Sequence, residues 1–243
     1  MSLKARWLNG QLEWYQGTSP YERTQPTYPI YIYDDFICKA VNATDMWTIV
    51  STGGGSVAYT AVAGGAALMT AHTDDTDNEF MGTALSFMAN KTCGMEARLA
   101  ASNVTSGAWF VGFTDSIADV LMPISGEANA VVSTATDAVG LLWDADYTTS
   151  AFIQSTAVKN NTDGTWISSA ILPVVNIYHT YRVEIDSDGA TRFYFDGVCV
   201  STQAAAITAT VPLSACVACG TRVGGVAEIL TIDYIKAWQR DRL

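Results

Sequence analysis

From Asp34 onward the sequence is a succession of short apolar runs broken by turn residues. Runs rich in Val, Ile, Thr, Phe and Trp alternate with clusters of Gly, Asn, Asp and Ser, the pattern of many short strands rather than of helices. Strands are predicted over residues 47–50, 56–59, 66–70, 84–87, 94–99, 108–113, 139–143, 151–155, 180–185, 191–195 and 229–238. Alternation is plainest between Thr180 and Gly197. There Tyr181, Val183 and Ile185 share one face, and Arg182, Glu184 and Asp186 share the other. After Asp188-Gly189, Phe193 and Phe195 continue the apolar face, and Arg192 and Tyr194 the polar one. A period of two with one greasy side predicts an antiparallel ribbon, buried on one face and wet on the other. Asp163-Gly164 and Asp188-Gly189 read as hairpin turns, because glycine takes the positive φ they require. The triple glycine at 53–55 and the pair Gly64-Gly65 break earlier strands. Helix signals are scarce: residues 115–122 could form a turn or two, capped by Asp115 or Ser116 and stopped by Pro123. With no internal repeat, the simplest architecture is all-β, a single antiparallel sandwich of two sheets.

Residues 1–33 break this pattern. They carry Trp7, Trp14, Tyr15, Tyr21, Tyr28, Tyr31 and Tyr33, with prolines at 20, 26 and 29 that disfavour a long helix. The segment reads as an extended aromatic arm without a core of its own. Its rings must be covered, either by its own domain or by a neighbour, and Trp7, Trp14, Tyr15, Tyr21 and Tyr28 are its partner-binding candidates. The chain thus divides into an arm (1–33) and one sandwich domain (34–243).

Composition narrows the possibilities. Of 243 residues, 24 are acidic and 13 basic, a formal charge of −11, and 49% are apolar. That much apolar surface excludes a disordered chain. The acidic balance disfavours nucleic acid and anionic membranes as partners. There is no run of ~18 apolar residues for a membrane-spanning helix, and no apolar stretch follows the basic start as a secretory leader would need. The expected location is therefore a cytoplasm, or an assembly built there. Four Asn-x-Ser/Thr sequons, at Asn42, Asn90, Asn103 and Asn160, mark exposed turns. The five cysteines (38, 93, 199, 216 and 219) are odd in number and scattered. Cys216-x-x-Cys219 lacks the second pair that structural zinc needs and has no helical context for a redox motif, so these read as buried strand thiols.

Four segments, in order, resemble the concanavalin A-like lectin/glucanase jelly roll. They are DDF (34–36) with DMWTIVSTGGGSV (45–57); GGAALMTAHTDDTDNEF (64–80); MEARLAASNVTSGAWFVGFTDS (95–116); and HTYRVEIDSDGATRFYFDG with LTIDYIKAWQ (179–197 and 230–239). The resemblance covers roughly residues 33–238. It implies a two-sheet jelly roll and leaves function open, since such folds serve glycan-binding lectins, endo-glycanases and virion proteins of tailed phages. The acidic, Ala/Thr/Ser/Gly-rich texture with an aromatic arm also resembles phage structural proteins.

Candidate chemistry is thin. Retaining glycanases of this fold use Glu-x-Asp-x-Glu on one strand, with carboxylates about 5–5.5 Å apart. Glu184-Ile185-Asp186 lacks the second Glu, and Glu96-Ala97-Arg98 has Arg where Asp is needed. His72, Asp74, Asp75, Asp77 and Asn78 form either a solvated acidic turn or a cation loop, and His179 reads as a turn or edge residue. No Ser/His/Asp triad, phosphate loop, catalytic residue or cofactor is assigned. Trp109 and Trp143 lie in apolar strands and read as core, which leaves Trp166 as the candidate for an exposed glycan-stacking ring.

The reading that follows from the resemblance is a non-catalytic phage virion protein, of capsid-decoration or cement type. It would bind the major capsid protein or other virion proteins through its arm and assemble as a symmetric homo-oligomer, often a trimer in such proteins. The alternative is a lectin-like module recognising host glycans through Trp166 and the loop from His72 to Glu79. A glycoside hydrolase ranks third.

Overall fold

The computed structural model describes residues 4–8, 11–15, 30–37, 46–60, 62, 64–74, 77–117, 122–126 and 129–240. Strands are numbered in chain order. Lys4–Leu8 (β1) and Gln11–Tyr15 (β2) pair as an antiparallel hairpin, so Trp7, Trp14 and Tyr15 lie on its strands, while Tyr21 and Tyr28 fall outside the described residues. Of the arm as delimited from sequence, the last residues form Ile30–Asp34 (β3), which pairs with the C-terminal strand of the sandwich.

The remaining strands build two large sheets. One has eight strands: β3, Ser56–Thr60 (β5), Ala66–Thr70 (β6), Cys93–Ala101 (β9), His179–Ile185 (β17), Thr191–Phe195 (β18), Val198–Gln203 (β19) and Ile229–Gln239 (β21). Its order is β19-β18-β17-β9-β21-β6-β5, with β3 also on β21. The other has nine: Thr48–Ser51 (β4), Asn78–Gly82 (β7), Phe87–Met88 (β8), Gly107–Thr114 (β10), Ala138–Asp144 (β13), Gln154–Lys159 (β14), Thr162–Asp163 (β15), Ile167–Ser168 (β16) and Pro212–Thr221 (β20). Its order is β15-β14-β13-β10-β20-β7-β4, with β16 on β14 and β8 on β20. A small hairpin of Ile124–Ser125 (β11) and Val132–Ser133 (β12) stands apart. There is no α-helix among the described residues, and Ala89–Lys91 forms a 3-10 turn. The protein is an all-β, two-sheet antiparallel sandwich.

Alternation decides what each sheet buries. Between the sheets lie Trp109, Val111 and Phe113 of β10, Val139, Leu141 and Trp143 of β13, and Val217 and Cys219 of β20. They meet Met95, Ala97 and Leu99 of β9, Val183 of β17, Phe193 of β18, and Ile232 and Ile235 of β21. The β17–β18 ribbon has the predicted register, Tyr181 opposite Phe195 and Val183 opposite Phe193, with its apolar face inward. Trp109 and Trp143 are core residues, their ring centroids 6.1 Å apart.

Local expectations fail where turn chemistry or period misleads. The β14–β15 hairpin turns at Asn160-Asn161, both at positive φ (48° and 59°). Asp163-Gly164 is therefore not the turn, since asparagine tolerates the left-handed region well enough to take both central positions. A second such turn, Asp196-Gly197, joins β18 to β19. Of the helical signal at 115–122, residues 118–121 lie outside the described residues. Cys216 and Cys219 are buried strand thiols on opposite faces of β20, as an i, i+3 spacing on a strand requires.

The nine-stranded sheet has a second apolar face. Phe80, Ala108, Phe110, Leu142, Val158, Cys216 and Ala218 point away from the inter-sheet core and form a separate cluster with Met122, Ile124 and Ala135. Trp166, Val50 and Val131 pack against its margin. Gly140 makes this face possible: a Cβ there would fall 2.4 Å from the Phe110 ring.

The alternation is directly testable on β18. Phe193 is fully buried and Tyr194 half-exposed. Phe193→Ala should cost about 3–5 kcal/mol in urea denaturation. Tyr194→Ala, which removes only a ring lying 4.0 Å from the Arg182 guanidinium, should cost about 1 kcal/mol or less.

Candidate functional site at the polar end of the nine-stranded sheet

At one end of this sheet the apolar face gives way to charge. Asn78, Gly220, Ala108 and Asp144 lie side by side across β7, β20, β10 and β13, with the phenylalanines one step further in. Asp144, the last residue of β13, is fully buried and held on several sides. Arg222 Nε donates to Oδ1 at 3.0 Å and to Oδ2 at 3.1 Å, and Nη2 donates to Oδ2 at 3.0 Å. The backbone amides of Gly126 (2.9 Å) and Asp146 (3.1 Å) donate to the same carboxylate. Arg222 is itself buried, so this is a charge pair removed from water and satisfied by geometry. The missing side chain of Gly220 provides the room, because a Cβ there would lie 2.9 Å from Arg222 Nη1.

Three residues beyond Asp144 the chain turns, and Tyr147 meets Trp166. Their ring centroids are 4.5 Å apart with planes tilted by 30°. Both rings are half-buried, with Trp166 against the outer apolar cluster. The exposed rim beside them is polar: Asn129 Oδ1 accepts from Thr148 Oγ1 and from the amide of Thr149, both at 3.0 Å. Asp146, with its side chain 40% exposed, lies 4.0 Å from Arg222 Nε. Trp166, singled out from sequence as an exposed stacking ring, is thus a half-buried ring in an aromatic pair. Tyr147, Asp144 and Arg222 were not singled out from sequence, since Trp166 lies 19 residues from Tyr147 and Arg222 lies 78 from Asp144.

The loop before β7 forms the neighbouring part of this end. His72 Nδ1 lies 3.0 Å from Asp77 Oδ2 and 3.8 Å from Asp74 Oδ2, and these three groups are close enough together to hold one cation. Asp75 lies outside the described residues, and Asn78 turns to the outer sheet face. The glycines at 53–55 press onto this loop: a Cβ on Gly53 would fall 2.1 Å from Asp77 Oδ2, and one on Gly55 2.0 Å from Glu79 Oε1.

Behind the loop are two carboxylates with little compensation. Glu79 is buried; its Oε2 accepts from Ser51 Oγ at 2.6 Å and its Oε1 has no partner. Burial, with a smaller push from Asp77 and partial relief from Ser51, raises it to about 7. Glu228 is also buried, and neither of its oxygens reaches a hydrogen-bond partner among the described residues. Burial raises it to about 8, offset in part by the nearby backbone amides of Ser102 and Asn103. The Cys219 thiol is pushed well up by burial and then by Glu228 and Glu79.

The carboxylates considered from sequence for glycanase chemistry lie elsewhere, on the outer face of the eight-stranded sheet. Glu184 is near Arg182 (3.5 Å) and Arg192 (3.7 Å), and Asp186 pairs with Arg192 at 2.9 Å. Glu96 accepts from Tyr234 Oη at 2.7 Å and from Lys236 Nζ at 2.6 Å. His179 is at a strand start, with Nδ1 2.8 Å from Asp196 Oδ2.

No protein-family model matches the chain, and no curated protein matches it significantly. The architecture is widely shared among solved structures. A structure described under endo-acting O-glycanases of the human gut microbiota that initiate mucin breakdown has TM-score 0.60 at 14% identity, covering 86% of this chain and 99% of that one. The carbohydrate recognition domain of Emp47p has TM-score 0.59 at 12% identity, covering 91% and 99%. A Bacillus licheniformis β-glucanase has TM-score 0.57 at 14% identity, covering 86% and 98%. The fold is the lectin/glucanase jelly roll. At these identities the likeness is one of fold. It nevertheless corrects the expectation of a chain that is not an enzyme, because structures matched over nearly their whole length include a glucanase and a structure from work on endo-acting O-glycanases. Nothing in these comparisons points to a virion protein.

Two outcomes follow from the buried charges. Asp144→Ala should cost about 3–5 kcal/mol, because it strands a buried guanidinium, and pairing it with Arg222→Met should restore much of the loss. Glu79 and Glu228 hold their protons to higher pH in the folded chain than the ordinary carboxylate value of 4.5. Their contribution is therefore fully present below pH about 4.5 and declines as pH rises through about 7 and 8. Urea midpoints measured from pH 5 to 9 should fall with a slope that Glu79→Gln/Glu228→Gln flattens.

Proposed function

We propose that the protein recognises carbohydrate at the polar end of its nine-stranded sheet. The observation that carries this reading is the Tyr147–Trp166 ring pair, half-exposed beside a rim of Asp146, Asn129, Thr148 and Thr149. A pyranose has an apolar face bordered by hydroxyls. It suits an aromatic platform that supplies dispersion and CH–π contact, flanked by acceptors and donors that read hydroxyl orientation. The Asp144–Arg222 pair sits behind the platform. It fixes the end of β13 and, through the Gly126 and Asp146 amides, the two loops on which the rim is built. Binding at this end also uses the part of the outer sheet face where charged side chains gather. The fold neighbours with carbohydrate recognition, glucanase and O-glycanase descriptions support the same class of ligand.

A glycan array probed with the full chain should give discrete positives, and Trp166→Ala should weaken them by tenfold or more, about 1.4 kcal/mol, with an unchanged circular dichroism spectrum. An array without any positive, or equal binding by the variant, overturns the reading. Release of reducing ends from an array-positive glycan would extend recognition to cleavage, with Asp146→Asn as the first variant to assay.

A further inference from the structure

The outer face of the eight-stranded sheet holds a second built feature, independent of the site above. Along β21 inward and outward residues alternate until Ile232, and then the order slips: Asp233 and Tyr234 both face outward, opposite the single residue Arg98 of β9. Ile235 returns to the core. This is a β-bulge, a device that places two consecutive side chains on one face. Here it sets a carboxylate beside a phenol, next to Tyr33 of β3, whose ring centroid lies 6.1 Å from that of Tyr234. Beside them is a pocket of about 290 Å³ lined by Tyr33, Asp35, Ile37, Gly64, Asp233 and Tyr234.

Among the described residues, the charges around this pocket show a deficit of positive groups. The Tyr33 hydroxyl is pushed up by burial and then by Asp35, Tyr31, Asp233 and Asp34. Asp34 is occupied, with Oδ2 accepting from Trp47 Nε1 at 2.8 Å and Oδ1 from the Phe36 amide at 2.9 Å. Asp233 accepts from Arg98 Nη1 at 2.7 Å, and that guanidinium also lies 4.6 Å over the Tyr178 ring. Lys236 Nζ is 5.7 Å from the centre of the Tyr234 ring but bonded to Glu96 at 2.6 Å. Asp35 is a pocket wall with no hydrogen-bond or ion-pair partner among the described residues. Among the described residues one guanidinium thus faces three carboxylates, and two tyrosine rings and an isoleucine supply walls that a bare metal ion cannot use.

Aromatic faces attract cations whose charge is spread over an organic shell, and an adjacent carboxylate adds direct attraction. An anion is repelled here, and a neutral ligand leaves Asp35 uncompensated. We propose that this pocket binds the ammonium group of a small organic cation. The ammonium seats in the pocket against the Tyr33 and Tyr234 rings, with Asp35 as its counter-ion and the Asp233–Arg98 pair fixing the far wall.

The test is a calorimetric and tyrosine-resonance titration of the full chain with four probes: choline, glucosamine, the uncharged choline isostere 3,3-dimethylbutan-1-ol, and calcium chloride. Choline or glucosamine should saturate by about 10 mM, as a weak single site does, and the isostere should not bind. Preference between the two distinguishes a quaternary cation from a sugar-borne primary ammonium. Asp35→Asn should weaken the bound ammonium by roughly fivefold, and Tyr33→Leu should remove binding. If Tyr33→Leu does not fold, the Asp35 variant decides alone, since its side chain lies at the surface. No ammonium binding, equal binding of choline and its isostere, calcium binding in place of ammonium, or an unchanged affinity in Asp35→Asn each overturns the proposal.

Discussion

A strand has two faces, and in the nine-stranded sheet both are apolar over most of their area. One is covered by the partner sheet. The other must be covered by something else or left as a large greasy surface in water. The chain covers it with its own connections: Met122, Ile124 and Ala135 lie over Phe80, Phe110 and Leu142, with Trp166 at the margin. This constraint decides where chemistry can occur. With the middle of the face filled, the buried charge pair and the half-exposed aromatic rings gather at one end of the sheet, where Asp144, Arg222, Asp146 and the Tyr147–Trp166 pair lie. The eight-stranded sheet is built the other way, with its outer face wet and most of its charges paired with one another.

The same contrast explains how far the molecule could be read from its sequence. The β17–β18 ribbon was legible because a one-sided strand writes its orientation into every second residue. β20 was legible only as a strand with buried thiols, without bounds or facing, because a strand apolar on both sides, SACVACG, has no period to read. β7 was hidden too: its residues Asn78 and Glu79 follow an acidic loop, and nothing local reveals that Glu79 faces inward. The turn misplaced at Asp163-Gly164 belongs to Asn160-Asn161, a choice made by register between strands. The jelly-roll resemblance gave the architecture. For the site, the residues themselves singled out Trp166 and the loop from His72 to Glu79 but not Tyr147, Asp144 or Arg222, which only the folded sheet brings to the same end.

The buried charges at this end are handled in two ways. Asp144 and Arg222 neutralise each other with several aligned hydrogen bonds, so their desolvation is largely offset. Glu79 and Glu228 avoid the cost by keeping their protons. A proton-holding carboxyl is a donor as well as an acceptor, so the interior beneath the His72 loop is less acidic than its composition implies. The net charge of −11 counts both glutamates as ionised, and near neutral pH the folded chain carries less than that.

The bulge in β21 has a consequence for how the fold and the second pocket are related. Inward positions run Leu230, Ile232, Ile235, Ala237 and Gln239. Counting through that series, the core pattern passes the Asp233–Tyr234 step as though one residue were absent. A strand one residue shorter would keep every inward side chain, its pairing with β9 and its place beside β3. Asp233 is therefore a spare position in the grammar of the sandwich. It interrupts the alternation without changing which residues face the core, and it supplies one of the two carboxylates that line the pocket.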